Sequence, residues 1–125
     1  MTISEISKKC NVSPDTLRYY EKVGLLSYVN RTPGGIRNYS EQDCMQVEFV
    51  KCMRSAGLSI EVLQKYFELF KRGKRTLKAR RDLLAKEREN LQMRFKELQD
   101  TIKRLDYKIS VYDKALKSKS KELKF

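Results

Sequence analysis

The sequence predicts a mainly α-helical protein, in which a small head of several short helices is followed by one long helix. Three observations support this prediction. Helix-start signals recur in the first half of the chain, a Pro/Gly-rich turn separates two β-prone segments, and from residue 76 to about 115 apolar side chains repeat with neither Pro nor Gly among them. A chain of 125 residues is long enough for one modest domain and an extended element, but too short for two full domains.

The first two helices are predicted from their capping residues. Thr2 followed by Glu5 matches a capping box, which starts a helix that ends near Cys10. After a short turn, Ser13 can cap a second helix over residues 14–23, with a proline at its first position and a glycine after its end. Two short helices joined in this way form a helix-turn-helix, whose second helix enters the major groove of DNA. Similar corners also occur in many small α proteins, so the motif needs support from its neighbours.

One face of the second helix is suited to DNA. Four of its side chains recur at spacings of three and four residues, so they share one side and offer a carboxylate, a guanidinium, a phenol and an ammonium. These side chains are Asp15, Arg18, Tyr19 and Lys22. Leu17 and Tyr20 project from the opposite flank toward a core. We therefore expect this helix to contact DNA.

A β-hairpin is predicted for residues 28–39, where β-prone segments flank a Pro/Gly turn at 32–35. In its second strand Arg37 and Tyr39 alternate with their neighbours and so share a face. A basic and aromatic hairpin beside a helix-turn-helix is typical of a DNA-binding wing. The alternative is a solvated hairpin at the edge of the fold.

Two further helices complete the predicted head. Ser40 with Asp43 forms a second capping box, and the helix that it opens runs to about Ala56, where Gly57 ends it. Ser59 can cap a fourth helix over residues 60–71. The apolar side of this fourth helix consists of Leu63, Phe67 and Phe70.

Residues 1–71 would thus form a winged helix-turn-helix head, followed by a long dimerisation helix over 76–116 and a basic, frayed tail over 117–125. The apolar seam of the long helix follows a 4-3 repeat. Its positions are Leu77, Arg81, Leu84, Arg88, Leu91, Phe95, Leu98, Ile102, Leu105, Ile109, Tyr112 and Leu116. In a parallel dimer Arg81 and Arg88 would each lie beside its twin, whereas antiparallel pairing moves these like charges apart. The sequence therefore predicts an antiparallel coiled-coil homodimer.

The net charge of +12 favours a polyanionic partner, either nucleic acid or an anionic membrane surface. The part of the chain from residue 76 holds 15 basic and 8 acidic residues, so +7 of the charge lies there and charge alone does not identify the partner. No apolar run approaches the roughly 18 residues needed to span a bilayer, and the N-terminus lacks the apolar stretch of a signal peptide. We therefore expect a cytoplasmic protein without a membrane partner.

The residue types of the chain do not indicate an enzyme. The chain has no histidine, the commonest general base and metal ligand, and no nucleophile elbow, phosphate loop or paired-carboxylate signature replaces it. The three cysteines, Cys10, Cys44 and Cys52, show no metal-ligand spacing and suit a reducing compartment better than a disulfide framework. We expect no enzyme activity, no catalytic residues, no metal and no cofactor.

Several segments together resemble the head of the MerR-type transcriptional regulators. The matching residues are Ile3 to Ile6, Val12-Ser13-Pro14, Thr16-Leu17-Arg18-Tyr19-Tyr20-Glu21, Gly24-Leu25-Leu26, Arg31, Gly35-Ile36-Arg37 and Tyr39. The resemblance implies a winged helix-turn-helix and an antiparallel homodimer. It also implies that Thr16, Arg18 and Tyr19 approach base edges and phosphates, and that Arg37 and Tyr39 hold the DNA backbone from the wing. Regulators of this type bend and untwist an overlong promoter spacer so that RNA polymerase engages both promoter elements.

Lys51-Cys52-Met53-Arg54, followed by Ala56-Gly57-Leu58-Ser59, is similar to the aldehyde-responsive NmlR/AdhR subgroup, which implies that Cys52 is the sensor. Lys51 and Arg54 could favour its thiolate, the form that attacks a carbonyl carbon, and an adduct would enlarge a side chain in the core of the head. Family members that sense metals or iron–sulfur clusters place cysteines around the ends of the dimerisation helix. Here the last cysteine is Cys52, so such a site is not expected.

Alternatives remain open at the level of sequence. Cys52 shares a helical stripe with Met45 and Phe49, and buried cysteines often serve only as small hydrophobic residues. Cys44, near a helix N-terminus, and Cys10, after two lysines, are competing thiols. For the whole chain, the alternative function is a basic coiled-coil interaction protein that binds RNA or anionic membrane without sequence preference.

Overall fold

The predicted mainly α-helical fold is confirmed by a computed structural model, which describes residues 1–26 and 29–118. The elements are α1 (Ile3–Cys10), α2 (Pro14–Lys22), β1 (Asn30–Arg31), β2 (Arg37–Asn38), α3 (Glu41–Ser55), α4 (Ile60–Lys71), a 3₁₀ turn (Lys74–Thr76) and α5 (Leu77–Lys117). The chain divides into two compact units, residues 1–85 and 86–125. Most of the predicted frayed tail, residues 119–125, lies outside the described residues, as does the start of the predicted first strand at Tyr28.

The predicted capping residues start the helices of the first unit. Thr2 Oγ1 accepts a hydrogen bond from the Glu5 backbone at 3.1 Å, and the Glu5 carboxylate accepts the Thr2 N–H in return. Ser40 and Asp43 make the same reciprocal pair at the start of α3. Ser13 and Ser59 cap α2 and α4. Each such cap contributes about 1 kcal/mol, which helps short helices to form at defined residues.

The hairpin is present but short. β1 and β2 are antiparallel and pair Asn30 with Asn38 and Arg31 with Arg37. The turn is closed by the Thr32 N–H, which donates to the Ile36 carbonyl at 2.7 Å. Gly35 has φ +82°, a left-handed conformation that side chains with a Cβ rarely adopt.

The core of the first unit draws on every helix of the head and on the hairpin. Its most buried large side chains are Ile6, Leu17, Leu25, Val29, Tyr39, Val47, Val50 and Leu63. Phe67 is also buried, whereas Phe70, on the same apolar side of α4, is 45% exposed. The Phe70 ring lies instead beneath the Arg80 guanidinium, 5.1 Å from the ring centroid, where a cation–π contact forms at the surface.

The second unit is the C-terminal part of α5, and its apolar side chains are exposed. No residue of α5 is buried, and Phe95, Leu98, Ile102, Leu105 and Ile109 are each at least 55% exposed. Leu84 and Leu91 are half-buried. Full burial of such a side chain contributes about 1.5–3 kcal/mol. Nothing among residues 86–118 supplies that burial, so the seam is open in the single chain.

Candidate nucleic-acid interface

The side chains that were predicted to share the exposed face of α2 are exposed in the structure. Arg18 and Lys22 are exposed and Tyr19 is 43% exposed, whereas Leu17 is fully buried beneath them. Thr16 is half-buried at the start of the helix, and its hydroxyl lies 2.8 Å from that of the capping Ser13. The helix thus presents a cation, a phenol and a second cation on one side.

Arg18 is held on this face by an ion pair within α2. Its Nη1 donates to Asp15 Oδ1 at 2.9 Å, and the Asp15 side chain is 95% exposed. Exposed pairs of this kind contribute only about 0–1 kcal/mol. Arg18 can therefore leave Asp15 for a base edge or a phosphate at small cost.

Glu21 joins the wing to α2. Its carboxylate accepts a hydrogen bond from Arg37 Nε at 2.7 Å and a longer one from Arg31 Nη2 at 3.4 Å. The hydrogen bond to Glu21 raises the pKa of the Arg37 guanidinium. Arg31 also donates to the Gly35 carbonyl at 3.2 Å, which ties it across the hairpin. One carboxylate on α2 therefore positions a cation from each strand.

The structure corrects the predicted role of Tyr39. Arg37 and Tyr39 do share a face of the hairpin, but that face packs inward, and Tyr39 is only 2% exposed. Its hydroxyl is buried with no hydrogen-bond partner among the described residues, and burial raises the pKa of the phenol. A phosphate cannot reach this oxygen without a rearrangement of the head. Tyr39 is a core residue.

Arg31 was absent from the candidate DNA-binding residues predicted from sequence. A usable signal was present, because Arg31 and Arg37 flank the Pro/Gly turn at matched positions and pair across the hairpin. Their common partner Glu21 could not be inferred, since it lies on another element and 10 or more residues away. Arg18, Lys22, Arg31 and Arg37 thus provide four cations on α2 and the hairpin.

The structure also changes the account of Cys52. This thiol is exposed on α3, so it is not a buried hydrophobic residue and an adduct would not enlarge the core. Met45, on the same stripe, is 65% exposed. The two neighbouring cations have other partners: Lys51 Nζ donates to the Cys10 carbonyl at 3.0 Å and Arg54 to the Leu58 carbonyl at 2.8 Å.

The other two cysteines form a buried pair. Cys10 and Cys44 are each 4% exposed, with their sulfur atoms 3.0 Å apart, and Glu48 places a carboxylate oxygen within 4.8 Å of both. Burial raises the pKa of the Cys10 thiol to about 12, so the expectation that the preceding lysines activate it is wrong. Lys9 instead pairs with Glu41 at 2.8 Å. Sequence spacing could not show this cluster, because its two cysteines are 34 residues apart.

Comparison with known proteins explains why an exposed helix and a wing occur together here. A model of the MerR HTH family of regulatory proteins matches residues 1–69, and a second, described as MerR, DNA binding, matches residues 45–107. The chain belongs to the MerR family. This assignment favours a DNA-binding regulator over the alternative of a non-specific interaction protein.

Individual MerR-family relatives agree with this assignment. The transcriptional regulator AdhR of Bacillus subtilis (strain 168) is 50% identical over 91 residues, which are 73% of this chain and 65% of AdhR, so the match spans less than two thirds of that relative. The structure of a MerR-family transcriptional regulator from Listeria monocytogenes has a TM-score of 0.89 at 44% identity, covering 93% of this chain and 88% of that one. HiNmlR, a MerR family regulator lacking the sensor domain and solved bound to promoter DNA, has a TM-score of 0.82 at 29% identity, covering 91% and 90%. Among the described residues, no helix has the length and apolarity needed to cross a membrane.

Proposed function

We propose that this MerR-family chain acts as an antiparallel coiled-coil homodimer that presents two copies of α2 to one pseudo-palindromic promoter site. The observation that carries the proposal is the open seam of α5, whose apolar side chains from Phe95 to Ile109 are more than half exposed in the single chain. A second copy would bury them, and a two-fold dimer requires a two-fold site. Dimerisation is also typical of the family.

Each side chain of the head has a distinct role in this proposal. Thr16, Arg18 and Tyr19 approach base edges and phosphates in the major groove, and Lys22 adds a phosphate contact from the same face. From the wing, Arg37 contacts the backbone, and Arg31 joins it because both arginines are held by the same carboxylate. Tyr39 supports the wing from the core instead of touching DNA.

Binding would act on transcription through the shape of the promoter. We propose that the dimer bends and untwists an overlong spacer, so that RNA polymerase engages both promoter elements. Such a regulator selects its site partly by how easily the DNA deforms. RNA polymerase is then an indirect partner, recruited by the altered DNA.

The test is footprinting of the full chain on promoter fragments at physiological salt. We expect one protected pseudo-palindrome, and Arg18→Ala should weaken specific binding by about 1–3 kcal/mol while relaxing selectivity at one position of the site. Arg72→Ala is the matched control: Arg72 is 52% exposed against 49% for Arg18, and each pairs with an acidic side chain at 2.9 Å. Equal binding to scrambled DNA, or equal losses in the two variants, would contradict the proposed interface.

We further propose that the exposed Cys52 thiol senses reactive aldehydes. The thiol adds across the carbonyl: sulfur bonds to carbon, a proton passes to the oxygen, and a hemithioacetal results without any co-reactant. Support comes from the resemblance to the aldehyde-responsive subgroup and from the exposure of Cys52, whereas the thiols of Cys10 and Cys44 are buried. Because Cys52 lies on the surface of α3, the adduct would act on whatever packs over the stripe of Met45 and Phe49.

Cys52→Ser tests the sensor. With formaldehyde or methylglyoxal, we expect the wild-type chain to gain the mass of one aldehyde and to induce its promoter, and the variant to do neither. Ser55→Ala, a change of similar size on the exposed side of the same helix, is the control and should respond normally. Induction that survives in Cys52→Ser would remove the sensing hypothesis and leave the DNA-binding proposal intact.

A further inference from the structure

We propose that Cys10 and Cys44 form a second thiol site, a dithiol that peroxides oxidise to an intramolecular disulfide between α1 and α3. This site is separate from Cys52 and from the face of α2. It uses the two cysteines that the proposed function leaves without a role. Its substrate class is a small two-electron oxidant such as hydrogen peroxide.

The two sulfur atoms are already close to bonding distance. They lie 3.0 Å apart, so a shift of about 1 Å brings them to a disulfide bond length. The ion pair of Lys9 with Glu41 and the hydrogen bond from Lys51 to the Cys10 carbonyl hold α1 against α3 on either side of the pair. The helices therefore need little rearrangement for the bond to form.

The chemistry is complete with peroxide and the two thiols. One thiol gives up its proton as its sulfur attacks a peroxide oxygen; the O–O bond breaks, and a sulfenic acid and one water result. The second sulfur then attacks the sulfenic sulfur, and the departing hydroxyl takes up a proton and leaves as water. In sum, two thiols are oxidised, and one hydrogen peroxide is reduced to two waters. A partner sulfur at 3.0 Å resolves the sulfenic acid without any external thiol.

The same geometry argues against a metal ion as the occupant. Two thiolates on a tetrahedral zinc ion lie about 3.8 Å apart, given Zn–S bonds of about 2.3 Å. The observed 3.0 Å, at which one thiol can donate a hydrogen bond to the other, is shorter, so the two sulfur atoms would have to move apart to bind zinc. Oxidation therefore explains the arrangement better than ligation.

The disulfide would constrain the part of the chain that meets DNA. The cysteines are 34 residues apart, and the loop that they close contains all of α2 and the whole hairpin. Closing a loop of this length restricts the unfolded chain and so favours the folded head. We expect the melting temperature of the oxidised protein to rise by about 5 °C or more.

The test uses the full-length Cys52→Ser variant, in which only the proposed pair remains. After hydrogen peroxide treatment, we expect both thiols to be lost, the intact mass to fall by two hydrogen atoms, and a peptide map to show Cys10 joined to Cys44. A reducing agent should restore the thiols and the original melting temperature. Cys10→Ser and Cys44→Ser, made in the same background and checked for native helicity by circular dichroism, should form no internal crosslink.

Three outcomes would overturn the proposal. The first is that both thiols stay free under conditions that fully oxidise Cys52 in the wild-type chain. The second is that the crosslink joins different chains, or that oxygen adds to each sulfur without any bond between them. The third is that one Zn²⁺ ion binds per chain and blocks oxidation by peroxide. In this outcome both free thiols are lost when Zn²⁺ is added, and a chelator restores them. That result would assign the cluster to a metal.

Discussion

Replacing Glu21 by Gln should detach the wing from α2 and destabilise the head. The Arg37–Glu21 pair is partly buried, with side chains 28% and 24% exposed and a 2.7 Å hydrogen bond. Hydrogen bonds that involve charged groups contribute about 1.5–3 kcal/mol, and Gln keeps one acceptor oxygen, so we expect a loss of about 1–2 kcal/mol in the free energy of unfolding. The longer contact from Arg31, at 3.4 Å, adds little to this value.

The matched control for this prediction is Glu68→Gln. Glu68 also pairs with an arginine across a helix surface, but its side chain is 67% exposed and that of Arg72 is 52% exposed. Solvent screening should reduce its loss to about 0.5 kcal/mol or less. Urea unfolding at a fixed chain concentration measures both variants, and the concentration must be fixed because dimerisation contributes to stability.

A double-mutant cycle separates the pair from side effects of either change. Combining Glu21→Gln with Arg37→Gln should show a coupling energy of about 1 kcal/mol, because each single change weakens the same shared interaction. Equal losses for Glu21→Gln and Glu68→Gln, or a coupling energy near zero, would refute the claim that Glu21 positions the wing.

Three other substitutions test separate features. Tyr39→Phe removes a buried hydroxyl that has no hydrogen-bond partner among the described residues. The free energy of unfolding should therefore stay the same or rise by up to about 1 kcal/mol, and DNA affinity should not change. A loss of affinity in a gel-shift titration would show that Tyr39 does contact DNA. Asp15→Asn removes the ion pair of Arg18 and a negative charge from the side of α2 that is proposed to face DNA. Binding to scrambled DNA should therefore tighten by up to about 1 kcal/mol. An unchanged Kd would show that the ion pair does not compete with DNA. Ile102→Glu puts a charge into the open seam of α5 and should shift the chain from dimer to monomer in analytical ultracentrifugation; Lys103→Glu, an exposed neighbour off the seam, should leave the dimer in place.

Local signals in the sequence predicted the helices closely because capping is local chemistry. The capping boxes at Thr2 and Ser40 involve residues only three positions apart, so their geometry follows from short-range spacing. The exposed face of α2 follows from helical periodicity in the same way. The hairpin was predicted from its Pro/Gly turn and the coiled-coil dimer from the 4-3 repeat of α5, and the resemblance to a family agreed with both predictions.

What the sequence could not give depends on packing between distant elements. Alternation in β2 placed Arg37 and Tyr39 on one face, but it could not say that this face turns toward the core. Cys52 was expected in the core because it lies on an apolar stripe, and it is exposed because the described residues do not cover that side of α3. The contact of Cys10 with Cys44 joins two helices that are far apart in the chain. Long-range contacts of this kind carry no periodic signal.

The two carboxylates beside the arginines of the head have a consequence for how binding depends on salt. Before DNA arrives, Asp15 and Glu21 already act as internal counterions for Arg18, Arg31 and Arg37. A phosphate that takes an arginine from its carboxylate still releases cations from the DNA, but the carboxylate left without a partner attracts cations from solution and so offsets part of that release. A count of the cations predicts that the logarithm of the binding constant falls by about 0.9 per phosphate neutralised for each unit of the logarithm of the salt concentration. We expect the measured slope to be smaller than this count gives. In the proposed complex the head would exchange ion pairs within itself for ion pairs with DNA, and its affinity would be less sensitive to changes in ionic strength.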